Sequence, residues 1–256
     1  MAGPKISIIT VTYNSLDTIA DTIKSVLAQT YTNREYIIID GASTDGAVDI
    51  IKSFGDKISK FVSEPDSGIY DGINKGIKLA TGDIVGILNA DDFYYDNKVI
   101  GRIAETFMHN DIDAVFGDIQ FIASGNQSKI TRYYSSGKFH PGKFRYGYMP
   151  AHPTFYVRRD FFEKYGFYKT DYQIAADYEL LIRFLYTNKL RYKYINMPFV
   201  NMRTGGVSTR SLRSNLILNK EILRACNENG IKTNYLNIYS KYFTKIFEFI
   251  GNSQNH

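Results

Sequence analysis

Short apolar runs alternate with amphipathic segments along residues 5–118 of this 256-residue chain. The runs read KISIITVTY, YIIID, ISKFVS, IVGIL and DAVFGD. The segments between them carry apolar residues at helical spacing and predict helices around residues 17–29, 47–54, 69–80 and 98–109. Because several runs are apolar on both faces, they are expected to form a mostly parallel sheet covered by helices. The sequence therefore predicts an α/β fold.

Polar residues follow four of these runs at the point where each strand would end. They are Thr12, Tyr13 and Asn14 after the first run, Asp40, Ser43 and Asp45 after the second, Asp66 after the third, and Asn89, Asp91 and Asp92 after the fourth. In open α/β sheets ligands bind outside the carboxyl ends of the strands, and right-handed crossovers bring those ends to one edge. Each group alone also fits a helix cap or a turn. Four groups at one edge favour a binding site.

The fourth group, Asn89-Ala90-Asp91-Asp92, places two carboxylates side by side. Adjacent carboxylates repel each other unless a cation or protons neutralise them. Oxygen ligands of this kind suit Mg²⁺ or Mn²⁺, which commonly bridge a carboxylate to substrate phosphates. The same tetrapeptide also fits a solvated turn whose acids cap the following helix.

Together these motifs resemble the family 2 glycosyltransferases of the GT-A fold, in particular those of bacterial polysaccharide synthesis, over about residues 5–210. The resemblance implies a GT-A-like, Rossmann-type sheet. It also implies that a nucleotide sugar is bound by Thr12, Tyr13, Asn14, Asp40, Ser43, Asp45, Asp66, Asn74, Asn89, Ala90, His152 and Arg203. In this set Asp40 looks like the acceptor for the imide N–H of uracil.

Two further motifs carry the resemblance. Residues 74–76 (Asn-Lys-Gly) and 80–83 (Ala-Thr-Gly-Asp) resemble the family's N-x-G and A-x-G-[DE] elements. Its D-x-D-type element aligns with residues 89–92, where Asn89 takes the place of the first acid. Because an amide adds no charge to hold a cation, the resemblance assigns the Mn²⁺ or Mg²⁺ ion to Asp91, with Asp92 second.

The second half supplies the acceptor side. Residues 152–159 read as extended, and residues 173–186 read as a helix with one apolar face. In the resembled family an E-D pair opens this helix and its Asp is the general base; here the pair is Ala176 and Asp177. An Asp in the first turn of a helix also satisfies free N–H groups. The resemblance favours Asp177 as the base, with His152 in the pocket and Arg203 at the diphosphate.

The implied reaction is transfer of a sugar, with inversion, from a donor that is expected to be UDP-linked to a saccharide or lipid-linked saccharide in surface polysaccharide synthesis. A cation would neutralise the departing diphosphate, and Asp177 would take the proton of the acceptor hydroxyl. One alternative is a non-catalytic nucleotide-sugar-binding or scaffold subunit, since Asn89 and Ala176 replace acids. Another is a nucleotidyltransferase, which would need a Gly-rich basic loop that residues 12–17 do not contain.

Composition and length bound the domain organisation. We expect a glycosyltransferase domain over residues 1–210, with a nucleotide-binding half to about 118 and an acceptor half after it, and a helical C-terminal extension over 211–256. Residues 120–150 read as a hairpin or mobile loop over the site. A single Cys226 excludes an internal disulfide. The first strand begins almost at once and no apolar run approaches about 18 residues, so a cytoplasmic protein is expected.

Charge is unevenly distributed along the chain. Residues 1–120 carry 10 Lys and Arg against 18 Asp and Glu, whereas residues 121–256 carry 21 against 8. The basic half suits an anionic acceptor or the inner face of the cell membrane. Nucleic acid is not expected as a partner, because the charges are scattered and no recognition motif is present. Residues 237–250 predict an aromatic helix stripe that either meets a membrane or is covered by protein, including a second copy of the chain.

Overall fold

The computed structural model of the chain describes residues 3–123, 126–203 and 212–240. The strands are β1 (Ile6–Thr12), β2 (Arg34–Asp40), β3 (Lys60–Ser63), β4 (Ile84–Ile87), β5 (Phe93–Tyr94), β6 (Ala114–Ala123), β7 (Asn126–Tyr134), β8 (Tyr156–Arg158) and β9 (Tyr192–Arg203). The α-helices are α1 (Ile19–Leu27), α2 (Ala47–Ser53), α3 (Ile69–Leu79), α4 (Val99–His109), α5 (Asp160–Tyr165), α6 (Ala176–Leu181) and α7 (Leu212–Glu228). Helix α6 continues as a π-helical segment, Ile182–Thr187.

The strands form one mixed sheet in the order β3-β2-β1-β4-β8-β6-β9-β5, with β7 paired to β6. Strands β3, β2, β1 and β4 are parallel to one another, and β6 is parallel to β9, whereas β8 runs antiparallel to β4 and β6. The predicted α/β fold with a mostly parallel sheet is therefore confirmed. The hairpin expected in residues 120–150 is formed by β6 and β7.

Several elements differ from the sequence-based expectation, among them the short strand β5 and the short helix α5, which were not predicted. The segment 152–159, predicted to be extended throughout, begins with one 3₁₀ turn, His152–Thr154, before β8. Strand β9 was not predicted. It contains Pro198, which lies opposite Asp118 of β6 where the register shifts. Proline lacks a backbone N–H and is tolerated in a strand at such an irregularity, so its presence hides the strand in the sequence.

Hydrophobic cores cover both faces of the sheet, because successive side chains of a strand point to opposite sides. In β2, Ile37 and Ile39 enter one core and Ile38 enters the other. The first core contains residues of α3, α6 and α7, and the second contains residues of α1 and α4. All of these β2 side chains are fully buried, as the near-continuous apolar run predicts.

The C-terminal helix α7 packs on the rest of the fold. Its Ile222, Ala225 and Cys226 are buried in the core that contains α6, together with Ile231 and Ile238. The predicted boundary near residue 210 thus separates segments that share one core. Most of the aromatic stripe expected in residues 237–250 lies outside the described residues, so the membrane and oligomer predictions concerning it remain predictions. Within the described residues, no helix has the length and apolar character needed to cross a bilayer.

A buried carboxylate joins the amino ends of the central strands. Glu35 of β2 accepts hydrogen bonds from the Ser7 hydroxyl (2.5 Å), the Thr81 amide (2.5 Å), the Gly82 amide (2.9 Å) and the Lys5 ammonium (3.2 Å). Burial alone would raise the pKa of Glu35, but these donors lower it to about 2. The ionised carboxylate therefore stabilises the pairing of β1, β2 and the segment that leads into β4.

We predict that Glu35→Gln lowers the free energy of unfolding at pH 7 by up to about 3 kcal/mol, because lowering a pKa from 4.5 to about 2 corresponds to roughly 3.4 kcal/mol. Because the folded-state pKa is depressed, the stabilisation is complete above the unfolded-state pKa of about 4.5 and is lost as pH falls toward about 2. Urea unfolding at pH 7, 5 and 3 should therefore show the difference from the parent protein shrinking. Glu105→Gln, at an exposed position of α4, serves as the control.

Candidate functional site

The loops that follow β2 and β3 are joined through Asp40. This carboxylate is fully buried and accepts hydrogen bonds from the Ser43 hydroxyl (2.5 Å), the Ser43 amide (3.0 Å) and the Ser63 hydroxyl (2.7 Å). Asp40 therefore holds the two loops in place, and its predicted contact with a nucleobase stays a prediction. Ser43, predicted to bind the nucleotide, also connects the loop after β1 to this network, because its hydroxyl accepts from the Asn14 backbone amide at 2.8 Å.

The loop after β1 is fixed by the same network. Asn14 is exposed, has a positive φ of 49°, which asparagine tolerates, and accepts from the Thr44 amide at 2.9 Å. Asp45 accepts from the Leu16 amide (2.8 Å) and from the Ala47 amide at the start of α2 (3.0 Å). These bonds, that from Ala47 first, lower the pKa of Asp45. The predicted binding residues Asn14 and Asp45 thus shape the edge of the sheet.

Beside this network the Tyr13 ring and the Asp66 carboxylate approach Gly41, and we call the place where these three residues meet the recess. A Cβ added at Gly41 would lie 2.8 Å from Asp66 Oδ2 and 3.4 Å from the Tyr13 ring. Tyr13 is 67% exposed, and the other oxygen of Asp66 accepts from the Gly68 amide at 2.9 Å. Thr12 immediately precedes Tyr13 in the sequence. Its hydroxyl is buried and has no hydrogen-bond partner within the described part of the chain. An aromatic ring beside a carboxylate oxygen suits a flat heterocycle with an N–H donor.

The turn after β4 presents one of its two acids to solvent. Asp91 is partly exposed, whereas Asp92 is 1% exposed and accepts a hydrogen bond from the Asn89 side-chain amide at 3.1 Å. Burial, and after it the charge of Asp91, raises the pKa of Asp92 well above its ordinary value. Asp92, predicted as a second metal ligand, thus has its side chain facing the interior, and its role at a metal stays a prediction. Asn89 supports Asp92 from the same turn.

Two side chains from other elements hold this turn by its backbone carbonyls. The Thr22 hydroxyl of α1 lies within hydrogen-bond distance of Ala90 O (2.9 Å) and Asp92 O (2.7 Å). Arg203 of β9 donates to Asp91 O at 2.8 Å and pairs with Asp21 at 2.6 Å. Arg203 was predicted to contact the diphosphate, but its guanidinium is committed to the turn.

The residues around Asp91 decide which kind of metal site is feasible. Among the described residues, no three His, Cys, Asp or Glu side chains are close enough to form a metal cage. Mg²⁺ usually needs only one or two carboxylates when substrate phosphates supply other oxygens. The donor set therefore fits a cation shared between Asp91 and a bound diphosphate, and it does not fit a site made by protein alone.

The predicted base and pocket residue are brought together. Asp177, in the first turn of α6, has Oδ2 at 3.2 Å from His152 Nδ1, and its Oδ1 accepts from the Tyr178 amide at 2.8 Å. Burial raises the pKa of Asp177, and the facing His152 opposes that shift. His152 is placed by its 3₁₀ turn, where the Thr154 hydroxyl accepts from the Gly117 amide of β6 at 3.0 Å. Neither contact is visible in the sequence.

Asn74 joins two elements of the fold. Its side-chain amide donates to Tyr168 O at 2.8 Å and accepts from Tyr168 N at 3.0 Å, and the residue is buried. Both polar groups are thus used in one contact between α3 and the segment that follows α5. The predicted binding role of Asn74 stays a prediction. Thr22 is the converse case, since it supports the site but no local motif marks it in the sequence.

A mixed, mostly parallel sheet with polar loops at one edge and an acid-bearing turn after β4 is the arrangement of the GT-A fold. The chain belongs to glycosyl transferase family 2, whose family model matches residues 7–166. It is 29% identical over 229 residues to a PGL/p-HBAD biosynthesis glycosyltransferase of Mycobacterium bovis, which covers 88% of this chain and 84% of the relative. It is 31% identical over 185 residues to an uncharacterized glycosyltransferase, Rv1514c, of Mycobacterium tuberculosis, with 71% and 69% covered.

Solved structures share the fold. TarS of S. aureus matches with a TM-score of 0.69 at 18% identity; the match covers 92% of this chain but only 43% of the TarS chain. TarS residues 1–349 in complex with UDP-GlcNAc match with a TM-score of 0.63 at 15% identity, covering 89% and 68%. The mannosyltransferase PcManGT of Pyrobaculum calidifontis, in complex with GDP-Man and Mn²⁺, matches with a TM-score of 0.60 at 18% identity, covering 87% and 65%.

We predict that Gly41→Ala weakens nucleotide binding by about tenfold, equal to roughly 1.4 kcal/mol. The new Cβ would displace the Asp66 carboxylate and crowd the Tyr13 ring. Calorimetric titration with UDP and with GDP measures the effect. Gly101→Ala is the matched control, because a Cβ at this position of α4 meets no atom within 4 Å. Unchanged affinity in Gly41→Ala would place the nucleotide outside the recess.

Proposed function

We propose that the chain transfers a sugar from a UDP-linked donor to a saccharide or lipid-linked saccharide acceptor, with inversion and with a divalent cation, in surface polysaccharide synthesis. The observation that carries this proposal is the position of Asp177, which is largely buried, paired with His152 and set on the acceptor half of the fold. Family membership supports the sugar transfer, and the neighbouring structures with UDP-GlcNAc and GDP-Man support a nucleotide-sugar donor.

The donor nucleotide is assigned to the recess formed by Tyr13, Gly41 and Asp66. The Tyr13 ring offers a face for stacking, and Asp66 Oδ2 is the oxygen that the backbone of its own turn leaves for an N–H donor. Uracil carries such a donor on its imide nitrogen, which supports UDP. Asp40 and Ser43 support the nucleotide indirectly, because they fix the loop that carries Gly41.

The diphosphate and its cation are assigned to the turn after β4. Asp91 is the side chain that would hold Mn²⁺ or Mg²⁺, while Thr22 and Arg203 keep its backbone in place. When bound, the cation supplies neutralisation of the charge that develops on the departing diphosphate. The structure of PcManGT in complex with Mn²⁺ supports a metal in this fold.

Asp177 is assigned as the general base. Burial raises the pKa of Asp177, which makes this carboxylate a stronger proton acceptor than an ordinary aspartate, and the facing His152 opposes that rise. It would take the proton of the acceptor hydroxyl as that oxygen attacks the anomeric carbon and the diphosphate leaves. One base and one displacement give inversion at that carbon.

A non-catalytic nucleotide-sugar-binding subunit is the second candidate. It is favoured by Asn89 and Ala176, which stand where the resembled motifs have acids. The two functions differ in turnover: a catalyst releases UDP from the donor in the presence of acceptor or, slowly, of water. UDP release from UDP-sugars, measured with and without Mn²⁺, therefore separates them.

We predict that Asp91→Asn abolishes the dependence of UDP binding on Mn²⁺ and leaves the fold intact, because the amide adds no charge to hold the cation. Calorimetry with UDP in the presence of Mn²⁺ or EDTA measures this. Asp56→Asn is the control, since Asp56 is exposed and precedes β3 at the opposite edge of the sheet. Unchanged Mn²⁺ dependence in Asp91→Asn would remove Asp91 from the metal site.

We also predict that Asp177→Asn preserves UDP binding but lowers turnover by roughly 10²-fold or more. In the parent protein turnover should fall on the acid side as Asp177 becomes protonated, and the raised pKa places that fall above the range of an ordinary aspartate. Steady-state rates across pH 4 to 8 test this. Near-native turnover of the variant would leave Asp177 as a helix-terminal residue with no part in the chemistry.

A further inference from the structure

A carboxylate of the C-terminal helix holds the segment that leads into the helix of the proposed base. Glu221 of α7 accepts from the Gln173 amide through Oε1 at 2.7 Å, and from the Ile174 and Ala175 amides through Oε2, both at 2.9 Å. Three consecutive backbone N–H groups thus converge on one side chain, which is 8% exposed. Asp177 follows two residues after the last of them.

A second side chain holds the same segment from the donor half. The Tyr70 hydroxyl donates to Ile174 O at 2.5 Å, and the Tyr70 ring stacks on Tyr168 with centroids 5.9 Å apart. Tyr70 lies in the first turn of α3, four residues after Asp66 of the nucleotide recess. Ile174 is therefore fixed through its N–H by α7 and through its C=O by α3.

This arrangement also acts on the electrostatics of Asp177. Four groups face its carboxylate: His152 lowers the pKa of Asp177 and Glu221 raises it, while Tyr70 and Tyr168 have their own pKa values raised by burial and then by Asp177. Glu221 thus pushes the base toward a stronger proton affinity through its charge. It also fixes the position of the base through the backbone.

A second glutamate of α7, Glu228, does not have this connection to residues 173–175. Glu228 accepts hydrogen bonds from the side chains of Lys169, Tyr172 and Arg224. It accepts no hydrogen bond from the backbone of residues 173–175. The two glutamates share a helix and a chemical type but differ in whether they reach the segment before Asp177.

We propose that Glu221 and Tyr70 are positioning residues that clamp residues 173–175 and thereby set Asp177 against the acceptor hydroxyl. The inference rests on the proposed role of Asp177 as the base. Near-attack geometry is sensitive to small displacements, and a misplacement of about 1 Å can cost roughly 10²-fold in rate. A helix outside the nucleotide-binding half therefore determines how well the base works.

The first test is Glu221→Gln, which keeps the length of the side chain but replaces one acceptor oxygen by a donor. We expect kcat to fall by about 10- to 100-fold, in line with a displaced base, while the UDP affinity and the KM for the donor stay unchanged. The acid limb of the kcat profile should move to lower pH, because burial still raises the pKa of Asp177 but the added effect of the Glu221 charge is gone. Glu228→Gln, the matched control, should keep kcat and the limb.

The second test combines Glu221→Gln with Asp177→Asn. If Glu221 acts through the base, the double variant turns over at the rate of Asp177→Asn alone, because residues that act as a unit are not additive. Tyr70→Phe removes the other half of the clamp and should lower kcat without changing UDP affinity. If Glu221→Gln does not fold, Tyr70→Phe alone tests whether the clamp positions Asp177.

The outcomes separate this inference from the proposed function. Normal kcat in folded Glu221→Gln or in Tyr70→Phe, an equal loss in Glu228→Gln, or additive losses in the double variant would each overturn the clamp. Near-native turnover in Asp177→Asn would instead reject the base on which the clamp is proposed to act. A low rate in Asp177→Asn beside a normal rate in Glu221→Gln rejects the clamp alone.

Discussion

The parallel register of three strands is the constraint on which the site depends. Pairing of β1 with β2 and of β2 with β3 puts Thr12, Asp40 and Ser63 side by side at the carboxyl edge. The three strands therefore end at the same level of the sheet, so the loops that follow them can form short hydrogen bonds with one another. The contact of Ser63 with Asp40 is one of these. Without that register the polar residues of four distant segments would not share a surface.

Carboxylates of the described residues play two different parts in the proposed site. Asp40, Asp45 and Glu221 accept hydrogen bonds from N–H and O–H donors of the chain itself and thereby fix loops. Asp91 and Asp177 each keep part of the side-chain surface exposed, and the proposed chemistry is assigned to these two.

The periodicity of the first 118 residues was sufficient to predict its helices and its buried strands, though not the two-residue β5, because buried parallel strands leave a continuous apolar signature. Sequence reasoning also named His152 and Asp177, although only the fold shows that they touch. It did not reveal the burial of Asp92, nor the partners of Asn74 and Arg203, which lie up to 112 residues away for Arg203 and Asp91. The residue types that cap, brace and bind ligands are the same, so a motif without its partners does not separate these roles.

The packing of α7 affects where members of this family can recombine and still fold a working site. The region that identifies the family ends at residue 166, whereas Asp177 and α7 come after it. A chimera that joined the first 166 residues to the tail of a relative would take Asp177 and α7 from the same parent, whereas a junction near residue 210 would combine Asp177 with a foreign α7. Under the proposed clamp, the segment before Asp177 and the C-terminal helix should therefore be inherited as one unit, and recombination within the lineage is expected to respect a junction before residue 173 and not one at residue 210.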